Sequence, residues 1–431
     1  MAPAAVQAKG LRFIRDTEIE NTIRAYSTPI FLAAGLDPQA VDVYLIDDPR
    51  LNAFVAGGQN MFLHTGLLLR AETPLQVMGV IAHETGHITG GHIVSRSEEV
   101  KKTTAALIAS YVLGIGTAIA TGRGDAGAAI ISGGQGAAVA SLLAYTRGQE
   151  ASADQAAIKL LEVSGYSPRG LLEFFEILGD QEALLSSSQD PYIRTHPLTQ
   201  DRTASLRAAV AESRYADKPA PAKLVAMHER MRAKLLGYLT PQKALRKYPD
   251  DDVSLPARYA RAIAYLERGE MDAAEQEVDS LVKEFPEDPY FHELKGDILF
   301  HSGRVAEARP SYVKAVEILP DAPLLRRALA HVQMEMNQPE MDKEAVEHLK
   351  FVTQREPRNV TGWRLLAGVQ GRLGDKGMST LAQAEAALAM NNPREAKGFA
   401  QRALKLLPEY SPGWLRAQDI DGLADRLRKR S

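Results

Sequence analysis

The sequence predicts a mainly α fold in two parts: an α+β domain over residues 1–215 and, past a linker at 216–226, an α-solenoid over residues 227–431. Three observations predict it. Glycine, alanine and proline recur at a fixed spacing in the second part. Pro219 and Pro221 break any helix between the two parts. The first part holds spaced histidines and carboxylates on helical patterns. Bulk composition agrees, since ~150 residues per domain allows two or three domains in 431 residues. A hydrophobic share of 45% with 24% charged residues excludes wholesale disorder. The net charge of -3, from 51 basic and 54 acidic residues, disfavours a general nucleic-acid binder. With no cysteine, disulfides, thiolate zinc sites and cysteine nucleophiles are excluded.

The N-terminus, MAPAAVQAKGLRF, has no basic region followed by an apolar one. Its small residues before Lys9 fit the stretch just after a cleavage site, and a plain cytosolic N-terminus fits equally. Further on, Met61-Phe62-Leu63-His64 reads as an exposed edge strand. An extended peptide could add to it by main-chain pairing, which tolerates any sequence. On that reading a change at Phe62 matters little, whereas a proline at Leu63 abolishes cleavage while leaving zinc bound.

Pro74 to His87 reads as an amphipathic helix with Val77, Val80 and Ile81 on one side. His83 and His87 are four apart, so both imidazoles leave one helix face a turn apart. That spacing suits two zinc ligands, and Glu84 beside them is placed to take a proton from water. A catalytic zinc needs a third protein ligand. His92 is a poor candidate: it follows His87 by five residues where the metzincin pattern needs six. A local hydrogen bond at the helix end suits it better.

Between Thr103 and Gly122, and again from Ala126 to Thr146, no residue is charged. Such lengths invite a membrane-span reading. However, the stretches are rich in Gly, Ala, Ser and Thr, and Gly114, Gly116, Gly133, Gly134 and Gly136 interrupt helix. Residues 103–146 are expected to form a helical hairpin across a cleft, with contact to a membrane surface as the alternative.

Arg147 onward begins another helix, running through Ala157, Leu160 and Leu161. Glu150 and Asp154 share a face. One carboxylate can bind zinc while the other accepts the second N–H of a ligand imidazole. Thr195-His196-Pro197 then places His196 rigidly before a helix that carries Arg202. His196 could bind the metal at rest or stabilise an oxyanion. Arg202 could hold a substrate carbonyl or a carboxylate.

In the second part, Gly269, Gly303 and Asn337 are 34 residues apart, as are Ala274 and Ala308, and Pro286 and Pro320. This is the period of tetratricopeptide repeats, each a pair of antiparallel helices. About four repeats are expected, presenting a surface for partner proteins. Pro357 and Pro408 are 51 apart, which suggests an insertion near Lys376–Met390.

The ordered series HExxH at His83–His87, ExxxD at Glu150–Asp154, HPxxxxR at His196–Arg202 and tetratricopeptide repeats resembles the BepA/YfgC group of periplasmic zinc peptidases. These are related to HtpX and the CAAX prenyl endopeptidase. The runs Asn52–Gly58 and His64–Leu68 resemble that group as well. The resemblance implies a zincin-type fold in which His83, His87 and Glu150 bind zinc and Glu84 is the base. It implies that Asp154 steadies a ligand, that His196 fills a fourth metal position and holds the enzyme latent, and that 103–146 plugs the site. It further implies a periplasmic endopeptidase in protein quality control, with polypeptide substrates and outer-membrane assembly partners. The alternative is a chaperone or adaptor whose repeats do the work with little proteolysis.

Overall fold

The computed structural model describes residues 12–56, 58–92, 147–184, 192 and 195–428. The expected hairpin at 103–146 and the N-terminal residues before Arg12 lie outside them. The chain divides into two compact units that meet between Leu236 and Gly237.

The first unit opens with β1 (Phe13–Ile14) and α1 (Thr17–Ala33), whose first turn is capped by Asp16 accepting from the Ile19 N–H. Then come β2 (Asp42–Ile46), β3 (Ala53–Ala56), β4 (Asn60–His64), α2 (Thr65–Arg70) and α3 (Pro74–Thr89). The strands form one sheet in the order β1-β2-β4-β3. β4 pairs in parallel with β2, from Asp42 opposite Asn60 to Ile46 opposite His64, and antiparallel with β3.

This order corrects the expected substrate strand. Met61–His64 is not an edge: β4 is paired along both sides, and Met61, Phe62 and Leu63 are fully buried. Phe62 stacks between Tyr44, at 5.2 Å, and Phe54, at 4.8 Å, so a change there strikes the core. The physical reason is visible in the sequence. Three consecutive apolar residues bury both faces of a strand, as an inner strand requires, where an edge strand would alternate. The outer strand on that side is β3.

α3 is the hub of this unit. α4 (Arg147–Val163) and α5 (Arg169–Leu184) pack on it at very close range, which glycines permit. A Cβ on Gly86 would lie 2.9 Å from the Ala153 carbonyl oxygen, and one on Gly79 would lie 2.7 Å from the Leu171 nitrogen. A Cβ on Gly170 would lie 2.3 Å from the Leu75 carbonyl. α6 (Gln200–Glu212) follows, capped by the Thr199 hydroxyl accepting from the Arg202 N–H.

The proline-marked break is helix-free as far as Pro221 and is tied down by Ser167 and Arg169, which both donate to the Ala216 carbonyl. Helix α7 (Ala222–Leu239) then packs back onto the first unit through its first four turns. Arg230 pairs with Glu18 at 2.8 Å, and Lys234 pairs with Asp16 at 2.7 Å. Residues 222–226, expected within the linker, are therefore the start of a packed helix. No described helix is long and apolar enough to cross a membrane.

Among its described residues the second unit holds α8 (Pro241–Lys247) and five helical hairpins: α9 (Leu255–Arg268) with α10 (Met271–Glu284), α11 (Pro289–His301) with α12 (Val305–Ile318), α13 (Pro323–Glu335) with α14 (Pro339–Arg355), α15 (Val360–Arg372) with α16 (Lys376–Ala389), and α17 (Pro393–Leu406) with α18 (Pro412–Arg428). Gly269, Gly303 and Asn337 take the same left-handed turn position, with φ of 75°, 76° and 53°. Lys376–Met390 is not an insertion. It is α16 and the turn residue after it, a regular second helix. The 34-residue register shifts earlier, because α14 has 17 residues where α10 and α12 have 14. After α16 the turn carries Asn391, left-handed at φ 53°, in place of a proline, so the marker is lost although the hairpin continues.

Candidate metal centre

Three elements bring the site together. α3 supplies His83, Glu84 and His87, α4 supplies Glu150 and Asp154, and the turn before α6 supplies His196. His83, His87, Glu150 and His196 are all buried, and one donor atom from each lies within 4.8 Å of the others. The His83 and His87 Nε2 atoms are 3.1 Å apart, as helical spacing of four requires. Glu150 Oε2 lies 3.5 Å from His83 Nε2, and Oε1 lies 3.4 Å from His87 Nε2. His196 Nδ1 lies 3.1 Å from Glu150 Oε1 and 3.3 Å from His83 Nε2. His196 Nε2 points the other way, 3.4 Å from Glu84 Oε1.

The donor set fits zinc: three imidazoles and a carboxylate, all desolvated. Both Glu84 oxygens are buried with no hydrogen-bond partner in the protein. Buried polar atoms are rarely left so, and their orphaning marks a site that a ligand or reacting group completes. Electrostatics agree. Burial raises the Glu84 carboxyl above its usual range, opposed by His196 and His83. Burial would raise Glu150 as well, but His196, His83 and His87 hold it far below the usual carboxylate range. Burial would lower His83, but Asp154 and Glu150 outweigh it and hold that imidazole above its ordinary value. Burial wins at His87, which is pushed down.

The carboxylate left open by the sequence is resolved by position. Glu150 faces the three imidazoles, whereas Asp154 lies behind His83, with Oδ1 2.9 Å from Nδ1. Arg202, expected at either a substrate carbonyl or a carboxylate, is on carboxylates. Its Nε and Nη2 donate to Asp154 at 2.7 and 2.8 Å, and Nη1 lies 2.7 Å from Glu150 Oε2. It is buried and does not belong among the groups that meet a substrate. His64 is also apart from the cage: it is buried, 3.8 Å from Asp48, with burial lowering its pKa to about 4.

Two residues take part that the sequence reading did not place there. Tyr192 stacks on His196, with ring centroids 4.6 Å apart. Its carbonyl accepts from the His196 N–H at 2.7 Å. The spacing of four, one helical turn, was the available signal. His92 is bonded locally, as expected, but its partner is His87: the two Nδ1 atoms are 2.9 Å apart.

Residues 15–210 match peptidase family M48, and residues 259–323 match a tetratricopeptide repeat. The chain joins an M48 peptidase domain to tetratricopeptide repeats. It is similar to the β-barrel assembly-enhancing proteases of Yersinia pestis and Escherichia coli K12. Each is 28% identical over 399 residues, which is 90% of this chain and 78% of the relative. It is also similar to the metalloprotease LoiP of Escherichia coli K12, 27% identical over 172 residues, 39% of this chain and 62% of LoiP. The M48 family is zinc-dependent, so the first part of this chain is a zinc metalloendopeptidase domain, and the buried His83, His87, Glu150 and His196 cluster can hold the metal.

Proposed function

We propose that this chain is a latent zinc endopeptidase of bacterial envelope quality control, with His83, His87 and Glu150 holding the metal and His196 occupying the fourth position. One observation carries the latency. A single imidazole, His196, touches the cage through Nδ1 and the Glu84 carboxylate through Nε2, at 3.3 Å from His83 and 3.4 Å from Glu84. On this reading the His196 side chain would stand where an attacking water would otherwise sit. Zinc bound there would polarise a scissile carbonyl and acidify water. Glu84 is the general base: buried and raised in pKa, it accepts the water proton and delivers it to the leaving amine. Asp154 orients His83, and Arg202 holds Asp154 and Glu150 in place.

The relatives' name, β-barrel assembly-enhancing protease, supports a role in β-barrel assembly, which we place in the periplasm at the outer membrane, with polypeptides as substrates and the repeats as the surface for partner proteins. The test is zinc content and peptide hydrolysis in wild type, His196→Ala and Glu150→Gln. His196→Ala should keep zinc and hydrolyse peptide faster, and Glu150→Gln should lose most of its zinc. A chain whose repeats act alone as a scaffold would stay inert in His196→Ala. That outcome, or full zinc retention in Glu150→Gln, overturns the reading.

A further inference from the structure

The end of α3 is built around one contact. After Thr89 the chain turns on Gly90 and Gly91, and Gly91 adopts the left-handed φ of +63° that disfavours any side chain. The turn folds His92 back so that its N–H reaches the His87 carbonyl at 3.2 Å and its Nδ1 lies 2.9 Å from the His87 Nδ1. The two rings meet edge to face, 5.1 Å between centroids at 72°. A Cβ on Gly90 would lie 2.5 Å from the His92 Nε2, so position 90 leaves room for this imidazole and little else. His92 is 7% exposed.

The chemistry of His87 gives the contact a purpose. Its Nε2 faces the cage, 3.1 Å from the His83 Nε2 and 3.4 Å from Glu150. For that nitrogen to offer a lone pair, the ring proton must sit on Nδ1. Two ring nitrogens 2.9 Å apart then share one proton: His87 Nδ1–H donates, His92 Nδ1 accepts, and the His92 proton is on Nε2. At His83 the same position is held by Asp154, 2.9 Å away. The two motif histidines are thus backed by different acceptors, a carboxylate and a neutral imidazole.

We propose that His92 is a positioning residue: it accepts the His87 Nδ1–H, fixing the tautomer and ring orientation with which His87 presents Nε2 to the metal. This rests on the reading of His87 as a ligand. Groups that hold a ligand imidazole typically contribute 10–100-fold to metal affinity.

The test uses the full chain and zinc affinity measured by competition with a chromogenic chelator, in wild type, His92→Leu, His92→Asn, His87→Ala and Glu150→Gln. His92→Leu removes the acceptor and should weaken zinc binding about 10–100-fold. His92→Asn places an amide oxygen near the same point and should recover most of that loss, which a merely space-filling role would not predict. A second measurement needs no variant: the imidazole nitrogen spectrum of zinc-loaded wild type should show His92 protonated on Nε2. His92→Leu within twofold of wild type, His92→Asn no better than Leu, or a His92 proton on Nδ1 would each overturn the proposal. If His87→Ala and Glu150→Gln lose zinc while His92→Leu keeps it, the ligand reading stands and only the role of His92 fails. If those two variants keep zinc, the ligand reading itself is wrong and the proposal falls with it.

Discussion

Replacing Arg202 by Met tests whether the carboxylates at the centre are held by that one guanidinium. Met keeps most of the aliphatic stem and removes the charge. The Arg202 side chain is 6% exposed, and its partners Asp154 and Glu150 are 8% and 0% exposed. It makes two contacts to Asp154, one to Glu150 and one to the Pro197 carbonyl, at 2.7 to 2.8 Å. Charged hydrogen bonds contribute about 1.5–3 kcal/mol each, but the values do not add, because burying the guanidinium offsets part of the gain. Removing one partner of a buried pair costs about 3–5 kcal/mol, since the other charges stay desolvated. Against a typical domain stability of about 5–15 kcal/mol this is a large fraction. Both tryptophans, Trp363 and Trp414, lie in the repeats, so their fluorescence does not report on this unit. The assay is therefore hydrogen exchange of α3 and α4 amides in chelator, with Asp154→Asn and the double variant completing a cycle. Arg202→Met should lose about 3–5 kcal/mol, and the double variant should lose less than the two singles together, because the orphaned charge is gone. A loss under about 1 kcal/mol, or strict additivity, would show that Arg202 does not hold the carboxylates.

Three further outcomes follow from the geometry. Gly170→Ala drives a Cβ to 2.3 Å from the Leu75 backbone, where no side chain can yield. It should destabilise the α3–α5 contact by about 1–3 kcal/mol or more, read as a lower melting temperature of the peptidase unit. Gly269→Ala forces a side chain into φ +75° and should lower urea stability of the repeats by about 1–2 kcal/mol, followed by tryptophan fluorescence. His228 is buried and neutral, its Nε2–H donating to the Ala71 carbonyl at 2.9 Å and Nδ1 accepting from the Tyr26 hydroxyl at 3.2 Å. Burial lowers its pKa to about 4 in the folded chain, against an ordinary value of 6.5. The unfolded chain therefore takes the proton first. Stability is fully present above pH ~6.5 and is lost as pH falls toward ~4, by up to about 3 kcal/mol. His228→Gln should flatten that fall in acid-unfolding curves, and an unchanged curve would refute the assignment.

What could be read from the residues was local. His83 and His87 on one face, Glu150 and Asp154 on another, and the recurring turn positions Gly269, Gly303 and Asn337 all follow from spacing within one helix or from one hairpin to the next. The errors came where a marker residue stood for a structure. Pro408 lies in the turn between α17 and α18, a hairpin's inner turn, and so cannot be counted in register with Pro357 between hairpins. An edge strand is likewise a poor match for Met61-Phe62-Leu63, which has the unbroken apolar run of a strand covered on both faces.

The sequence by itself therefore determined the two-part architecture and which histidines and carboxylates share a helix face, because helical periodicity and motif spacing are properties of neighbours in the chain. Only the tertiary structure decided which carboxylate faces the imidazoles, that Arg202 is spent on Asp154 and Glu150, that β4 is an inner strand, and that His92 closes on His87. Those depend on how close α3, α4 and α5 approach and how the sheet is ordered. Such distances are set by Gly79, Gly86 and Gly170 packed against residues far away in sequence, where no local pattern reaches.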